Sequence, residues 1–162
     1  MNFEDNELTV KITPSKLEHL EKAAKTSERQ RSRFILHKGH NDNVQEMVIA
    51  ITSQTYIMPH RQKNRTKSYT LLNGKFGVIF FDEQGVISDV IKMDNEADRP
   101  VLVRFDADQW HSVVAGSDVA IYIETAQGPF EGSLWADWAP KSEDSNEGLD
   151  YLEFMKKSVF QP

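Results

Sequence analysis

Apolar residues in the middle of the chain recur in short runs that are rich in Val, Ile, Tyr and Phe. Eight such runs are legible: Val44–Ile51, Gln54–His60, Ser68–Leu72, Lys75–Asp82, Val86–Met93, Val101–Phe105, Trp110–Ala115 and Val119–Glu124. The breaks between them carry turn residues, as at Asn73-Gly74, Asp82-Glu83-Gln84-Gly85, Asp94–Pro100 and Gly116–Asp118. Strands at this close, even spacing predict an antiparallel sandwich or barrel and leave no room for the helices of a parallel α/β sheet. A double-sheet jelly roll is the most economical arrangement for a chain of this length. The period changes on either side. Leu17, Leu20, Ala23 and Ala24 after Thr13-Pro14 predict a short amphipathic helix, with Thr13 or Ser15 as its cap and Glu18 placed for a capping box with Ser15. Leu149, Leu152 and Met155 predict a last helix with Lys156 and Lys157 in its final turn, where they suit the dipole.

Three segments follow from this: residues 1–43 as an N-terminal helix and arm, 44–140 as the barrel, and 141–162 as an acidic connector and C-terminal helix. Arg29, Arg31 and Arg33 read as a solvated helix end leading into the loop-like HKGHND, or alternatively as a phosphate- or carboxylate-binding rim. His37 and His40 in that loop look like a metal-ligand pair but read first as ordinary loop histidines, with a pocket-rim role as the other alternative. Trp110, Trp135 and Trp138 read as packing residues, with a sugar-stacking platform as the alternative.

Composition narrows the function. The chain has 162 residues, enough for one domain with a proper core, and 39% apolar and 27% charged residues make it globular. A net charge of -6 with no basic stripe argues against nucleic acid and against an anionic membrane surface. The apolar runs are too short to span a bilayer, and the acidic N-terminus MNFEDNELTV has no apolar signal core, so a cytoplasmic location is the expectation. The absence of cysteine removes disulfides, zinc-thiolate sites, iron–sulfur clusters and thiol nucleophiles.

The candidate chemistry lies in MPHRQKNRTKSYTLLNG, residues 58–74. Strand alternation puts Tyr56, Met58 and His60 on one face and Lys67, Tyr69 and Leu71 on one face of the next strand. If both faces point inward, His60, Gln62 and Lys67 gather at one mouth of the barrel, where His111 could join them.

The spacing His60-x-Gln62-x4-Lys67-x6-Gly74 resembles the first cupin motif, His-x-His-x4-Glu-x6-Gly, and Asp106–His111 stands where the second motif, Pro-x-Gly-x-x-His, would fall. Several ordered segments more specifically resemble the WbuC-type cupin-fold metalloproteins: SERQRSRFILHKGHNDNVQEMVIAI, TYIMPHR, FDEQGVI, WHSV and IETAQGPF, followed by Trp138-Ala139-Pro140. The resemblance implies an antiparallel double-stranded β-helix, or jelly-roll barrel, holding one divalent metal, in the setting of bacterial cell-surface polysaccharide and nucleotide-sugar metabolism. It also implies four ligands at positions 60, 62, 67 and 111. Here His60 and His111 keep the family's residue type, Gln62 replaces a histidine and Lys67 replaces the glutamate.

An amide is a poor zinc or iron ligand, and an ammonium beside a dication repels it. The expectation is therefore a cupin-fold binding protein with a degenerate metal site and no tightly bound cofactor. A Lys67–Glu124 pair would stand in for ion and ligand, in a pocket of His60, Gln62, Lys67, Tyr69, His111 and Glu124 that suits a sugar or a small carboxylate. The alternative is a metal-dependent isomerase or epimerase acting on a nucleotide sugar, with one divalent ion on His60, Gln62 and His111, and Lys67 or Glu124 handling protons. A plainer reading makes both histidines ordinary barrel residues. A third reading makes the barrel mainly an assembly unit, in which case exposed sheet edges predict a homodimer.

Overall fold

The computed structural model describes residues 9–96, 98–141 and 145–161. Most of the acidic N-terminal stretch and residues 142–144 of the connector lie outside the described residues. The elements run α1 (Pro14–Thr26), β1 (Arg31–Ile35), β2 (Val44–Thr52), β3 (His60–Arg61), β4 (Lys67–Asn73), β5 (Phe76–Phe81), β6 (Ile87–Met93), β7 (Leu102–Phe105), β8 (Trp110–Ala115), β9 (Val119–Gln127), β10 (Leu134–Trp135) and α2 (Asn146–Phe160).

The strands form two five-stranded sheets, β1-β2-β9-β4-β7 and β10-β3-β8-β5-β6, antiparallel at every pairing. The expected jelly roll with a helix before it and a helix after it is the observed fold. One core lies between the sheets, built from residues such as Ile49, Ile51, Tyr69, Phe76, Val78 and Val113. A second lies outside the first sheet, where Leu20 and Ala24 of α1 meet Phe34, Val48, Ala50 and Ile121. A third lies outside the other sheet, where Leu152, Met155 and Val159 of α2 meet Ile79, Phe81 and Val114. Covered on both faces, β2 and β5 read as unbroken apolar runs (MVIAI, FGVIFF) instead of alternating ones.

The ends of the elements follow their chemistry. Thr13 caps α1, its Oγ1 accepting from Lys16 N–H at 3.4 Å, and Pro14 fills the first turn. Ser15 is thereby inside the helix, so the capping box with Glu18 is not formed. Ser145 caps α2 by accepting from Gly148 N–H at 3.0 Å. The buried stripe of α2 is Gly148, Leu152, Met155 and Val159, and Leu149, expected in the stripe, is 46% exposed. The helix runs three residues past Lys157, leaving that lysine in the last turn. Gly74 takes φ +87°, and a Cβ there would stand 2.3 Å from Val119 O, so only glycine fits the turn.

Two sequence expectations change. Arg31 and Arg33 do not form a helix end; they lie on β1, whose whole length pairs with β2. Phe34 on the opposite face, buried against α1, supplies the apolar anchor that makes this basic run a strand. The stretch Gln54–His60 is not a full strand either. Its start is a turn held by Thr55 Oγ1, which accepts from Thr52 N–H at 2.9 Å and donates to Gln30 O. Pro59 then interrupts the ladder, which exists only at His60–Arg61.

Candidate functional site

The break at Pro59 decides which way His60 points. Tyr56 and Met58 pack in the outer core under α2, and Ile57 packs inward. The alternation slips by one residue at Pro59, so His60 and Gln62 face inward although Tyr56 and Met58 do not. The expected shared face of Tyr56, Met58 and His60 is therefore absent. On β4, by contrast, Lys67, Tyr69 and Leu71 are all buried inward, as alternation predicts.

Between the sheets lies a cavity of about 470 Å³, a size that takes a small organic ligand. His60, Gln62, Tyr69 and Glu124 line it; Lys67 and His111 do not, and lie buried beside it in contact with Glu124 and His60 respectively. His60 on β3 and His111 on β8 are direct cross-strand partners, with ring centroids 4.5 Å apart. Each ring places Nδ1 against a backbone carbonyl two residues back, His60 on Met58 O at 3.2 Å and His111 on Gln109 O at 2.8 Å. A carbonyl only accepts, so Nδ1 carries the hydrogen and Nε2 is bare in both. Burial, with Lys67 nearby, lowers the His60 pKa to about 4; burial, with His60 and Lys67, pushes His111 well below the ordinary range. Both rings are neutral at pH 7.

Lys67 Nζ donates to the bare Nε2 of His111 at 3.4 Å and stands 3.6 Å from Glu124 Oε1. The pairing with Glu124 is diagonal: Lys67 lies opposite Ala126 in the β4–β9 register, two residues from Glu124. Burial lowers the Lys67 pKa, and the Glu124 charge opposes that shift. Gln62 Nε2 donates to Ser133 Oγ at 2.8 Å, while Gln62 Oε1 is buried with no partner. Burial also pushes the phenols of Tyr69 and Tyr122 up, so both stay protonated.

The donor set departs from that of the metal centre which the sequence resemblance implies. The Nε2 lone pair of His111 is taken by an ammonium group, and that cation stands where a carboxylate ligand would be needed. Among the described residues, no group of three or more His, Asp or Glu side chains converges to hold a metal. Gln62 and the two histidines remain as hydrogen-bonding groups.

The mouth of the cavity holds residues read differently in the sequence. Arg31 and Arg33 line it from β1, and Arg31 Nη1 donates to Tyr56 O at 3.4 Å. His37 and His40 stand at its rim, His37 Nδ1 accepting from Glu46 N–H at 3.0 Å and His40 edge-on to Phe130. Of the tryptophans, Trp110 and Trp138 pack together at the α2 side. Trp135 is 55% exposed and stands over His60, with ring centroids 5.1 Å apart. Arg65, Tyr122, Phe130 and Ser133 also line the cavity. Arg65 was legible in principle, since it is two residues before Lys67 and shares its parity. Asp108 takes φ +65° where the second motif carries glycine, so the backbone of that motif is kept though its residue is not.

Two facing antiparallel sheets, with paired histidines from β3 and β8 at one end of the space between them, define a cupin fold. The chain is similar to a cupin 2 conserved barrel domain protein from Rhodopseudomonas palustris, at 14% identity over 70% of this chain and 69% of that one, with a TM-score of 0.51. It is also similar to a protein from Shewanella oneidensis, at 6% identity over 62% of this chain and 68% of that one, with a TM-score of 0.51. At such identities the likeness concerns the fold alone. No curated protein matches the chain. Residues 12–93 match the family described as a domain of unknown function (DUF6016), and the chain belongs to that family. The matched stretch runs from the approach to α1 through β6 and includes His60, Gln62, Arg65, Lys67 and Tyr69; His111 and Glu124 lie beyond it. The WbuC resemblance rests on the sequence segments alone. No described helix is long and apolar enough to cross a membrane.

Proposed function

We propose that the protein is a small-molecule-binding cupin that holds a polar ligand between its sheets without a tightly bound metal ion. The observation that carries this reading is the cavity of about 470 Å³ whose polar wall is left incomplete at Gln62 Oε1, a buried acceptor without a donor. A buried amide oxygen in this state is unfavourable unless a ligand or water completes it. The bare Nε2 of His60 is a second acceptor on the cavity side, and Trp135 over it offers an apolar face for a ring. A sugar or sugar derivative matches that combination. The link to cell-surface polysaccharide or nucleotide-sugar metabolism comes from the WbuC resemblance of the sequence.

A second reading is supported by Lys67. Its lowered pKa and its place between Glu124 and His111 suit a proton carrier, and make an isomerase or epimerase the enzyme class to test.

The deciding experiment is elemental analysis and native mass spectrometry of the untagged protein purified without chelator, with His60→Ala/His111→Ala alongside. Metal far below one per chain, together with a small adduct lost in the double variant, is the expected result. Near-stoichiometric metal that disappears in the double variant would overturn the metal-free reading and favour metal-dependent chemistry.

A further inference from the structure

We propose that the cavity recognises an organic anion through Arg65, the ligand being a small hydroxylated acid with a carboxylate or phosphate on a polyol skeleton. This rests on the reading of the cavity as a ligand site and specifies what that site takes.

Arg65 sits in the loop between β3 and β4 and is 5% exposed, yet it lines the cavity. Two of its guanidinium nitrogens, Nε and Nη1, are buried without a hydrogen-bond acceptor. Its Cζ lies 5.1 Å from the centre of the Phe130 ring, which fixes the plane of the fork without satisfying its N–H groups. A buried guanidinium in this condition weakens the fold, and a ligand oxyanion is the group that would satisfy it. Either fork of the guanidinium, Nε with Nη2 or Nη1 with Nη2, matches a carboxylate or phosphate in a bidentate pair, and each includes one of the two unsatisfied nitrogens.

The surrounding charge points the same way. Lys67, beside the cavity, and Glu124, which lines it, offset each other at 3.6 Å. Arg31 and Arg33 add positive charge at the mouth from successive inward positions of β1. Arginines outnumber carboxylates among the residues that line the cavity, although the chain as a whole carries -6. The acceptors deeper in the cavity, Gln62 Oε1 and His60 Nε2, call for hydroxyl or N–H donors on the same molecule. An acid group on Arg65 with hydroxyls reaching Gln62 and His60 meets both demands.

The test is thermal unfolding of the full chain at constant ionic strength with gluconate, glucose 6-phosphate or neutral sorbitol. At least one anion should raise Tm, by roughly 5–10 °C at a hundred times its Kd, while sorbitol at the same concentration should not. Which anion acts separates the carboxylate from the phosphate. Arg65→Met should abolish the response, and Arg65→Lys should retain only part of it. Without ligand, Arg65→Met should melt no lower than the wild type, because it removes an unsatisfied buried charge. Should Arg65→Met not fold, Arg65→Lys and Arg65→Gln carry the comparison.

Sorbitol acting as well as the anions, no shift with either anion up to tens of millimolar, or a response unchanged in Arg65→Met would each overturn the anion assignment and leave the cavity reading standing. An anion response that also survives Met47→Trp, which puts a larger side chain at a position lining the cavity, would overturn both.

Discussion

Glu124→Gln removes the countercharge of a lysine whose side chain is 1% exposed, in a pair separated by 3.6 Å. Two unit charges at that distance attract by about 5 kcal/mol at an effective dielectric of ~20. Breaking a buried pair from one side costs about 3–5 kcal/mol, because the other charge is left behind. Lys67 can escape part of that cost by releasing its proton, since burial already lowers its pKa. A loss near the lower end, about 3 kcal/mol at pH 7, is therefore expected, or a Tm lower by roughly 6–12 °C for a chain of this size. The deficit should shrink as the pH is raised, because a neutral Lys67 needs no partner. Lys67→Met/Glu124→Gln removes both members and should lie within about 1 kcal/mol of the wild type. Urea unfolding of the wild type, both single variants and the double variant at pH 7 and pH 9 measures the coupling. A double variant that loses the sum of the single losses, or a Glu124→Gln deficit that does not change with pH, would refute the reasoning.

Acid should unfold the protein through its neutral histidines. The folded pKa of His60 is about 4 against an ordinary 6.5, so its contribution is present above pH 6.5 and lost as pH falls toward 4. That loss is at most about 3 kcal/mol, since His60 keeps an edge toward the cavity; His111 adds in the same direction, and His60→Gln should flatten the pH–stability curve. Met155→Ala empties a fully buried position under α2 and should cost about 2–5 kcal/mol in urea unfolding, while ligand binding between the sheets persists. Gly128→Ala would put a Cβ 1.7 Å from Asp42 O, a backbone atom that cannot step aside alone. Circular dichroism melts should show a marked Tm loss, together with weaker ligand binding at the adjacent His40–Phe130 rim.

The barrel was legible because its strands are bounded by turn chemistry and are apolar enough to stand out from the loops. The inward face of β4 was legible too, since Lys67, Tyr69 and Leu71 keep strict alternation. Other features depend on neighbours that a sequence does not display. β1 reads as a basic run until Phe34 is seen against α1, and the face of His60 is reset by the slip at Pro59, which local parity puts on the wrong side. The proximity of Lys67 and Glu124 was within reach because a single strand register relates them. Arg65 was overlooked because its only local signal, parity with Lys67, lies in a loop where parity is a weak guide.

Lys67 also changes what the site depends on. A positive charge carried at the end of a side chain has no metal dissociation constant and no metal occupancy to saturate. The Lys67 charge beside this cavity, paired with Glu124, is therefore present whenever the chain is folded and the lysine protonated, whatever the supply of metal around it. Chelators and metal starvation leave that charge in place. The control lies instead with proton concentration, and with any ligand that shifts the balance between Lys67, Glu124 and His111.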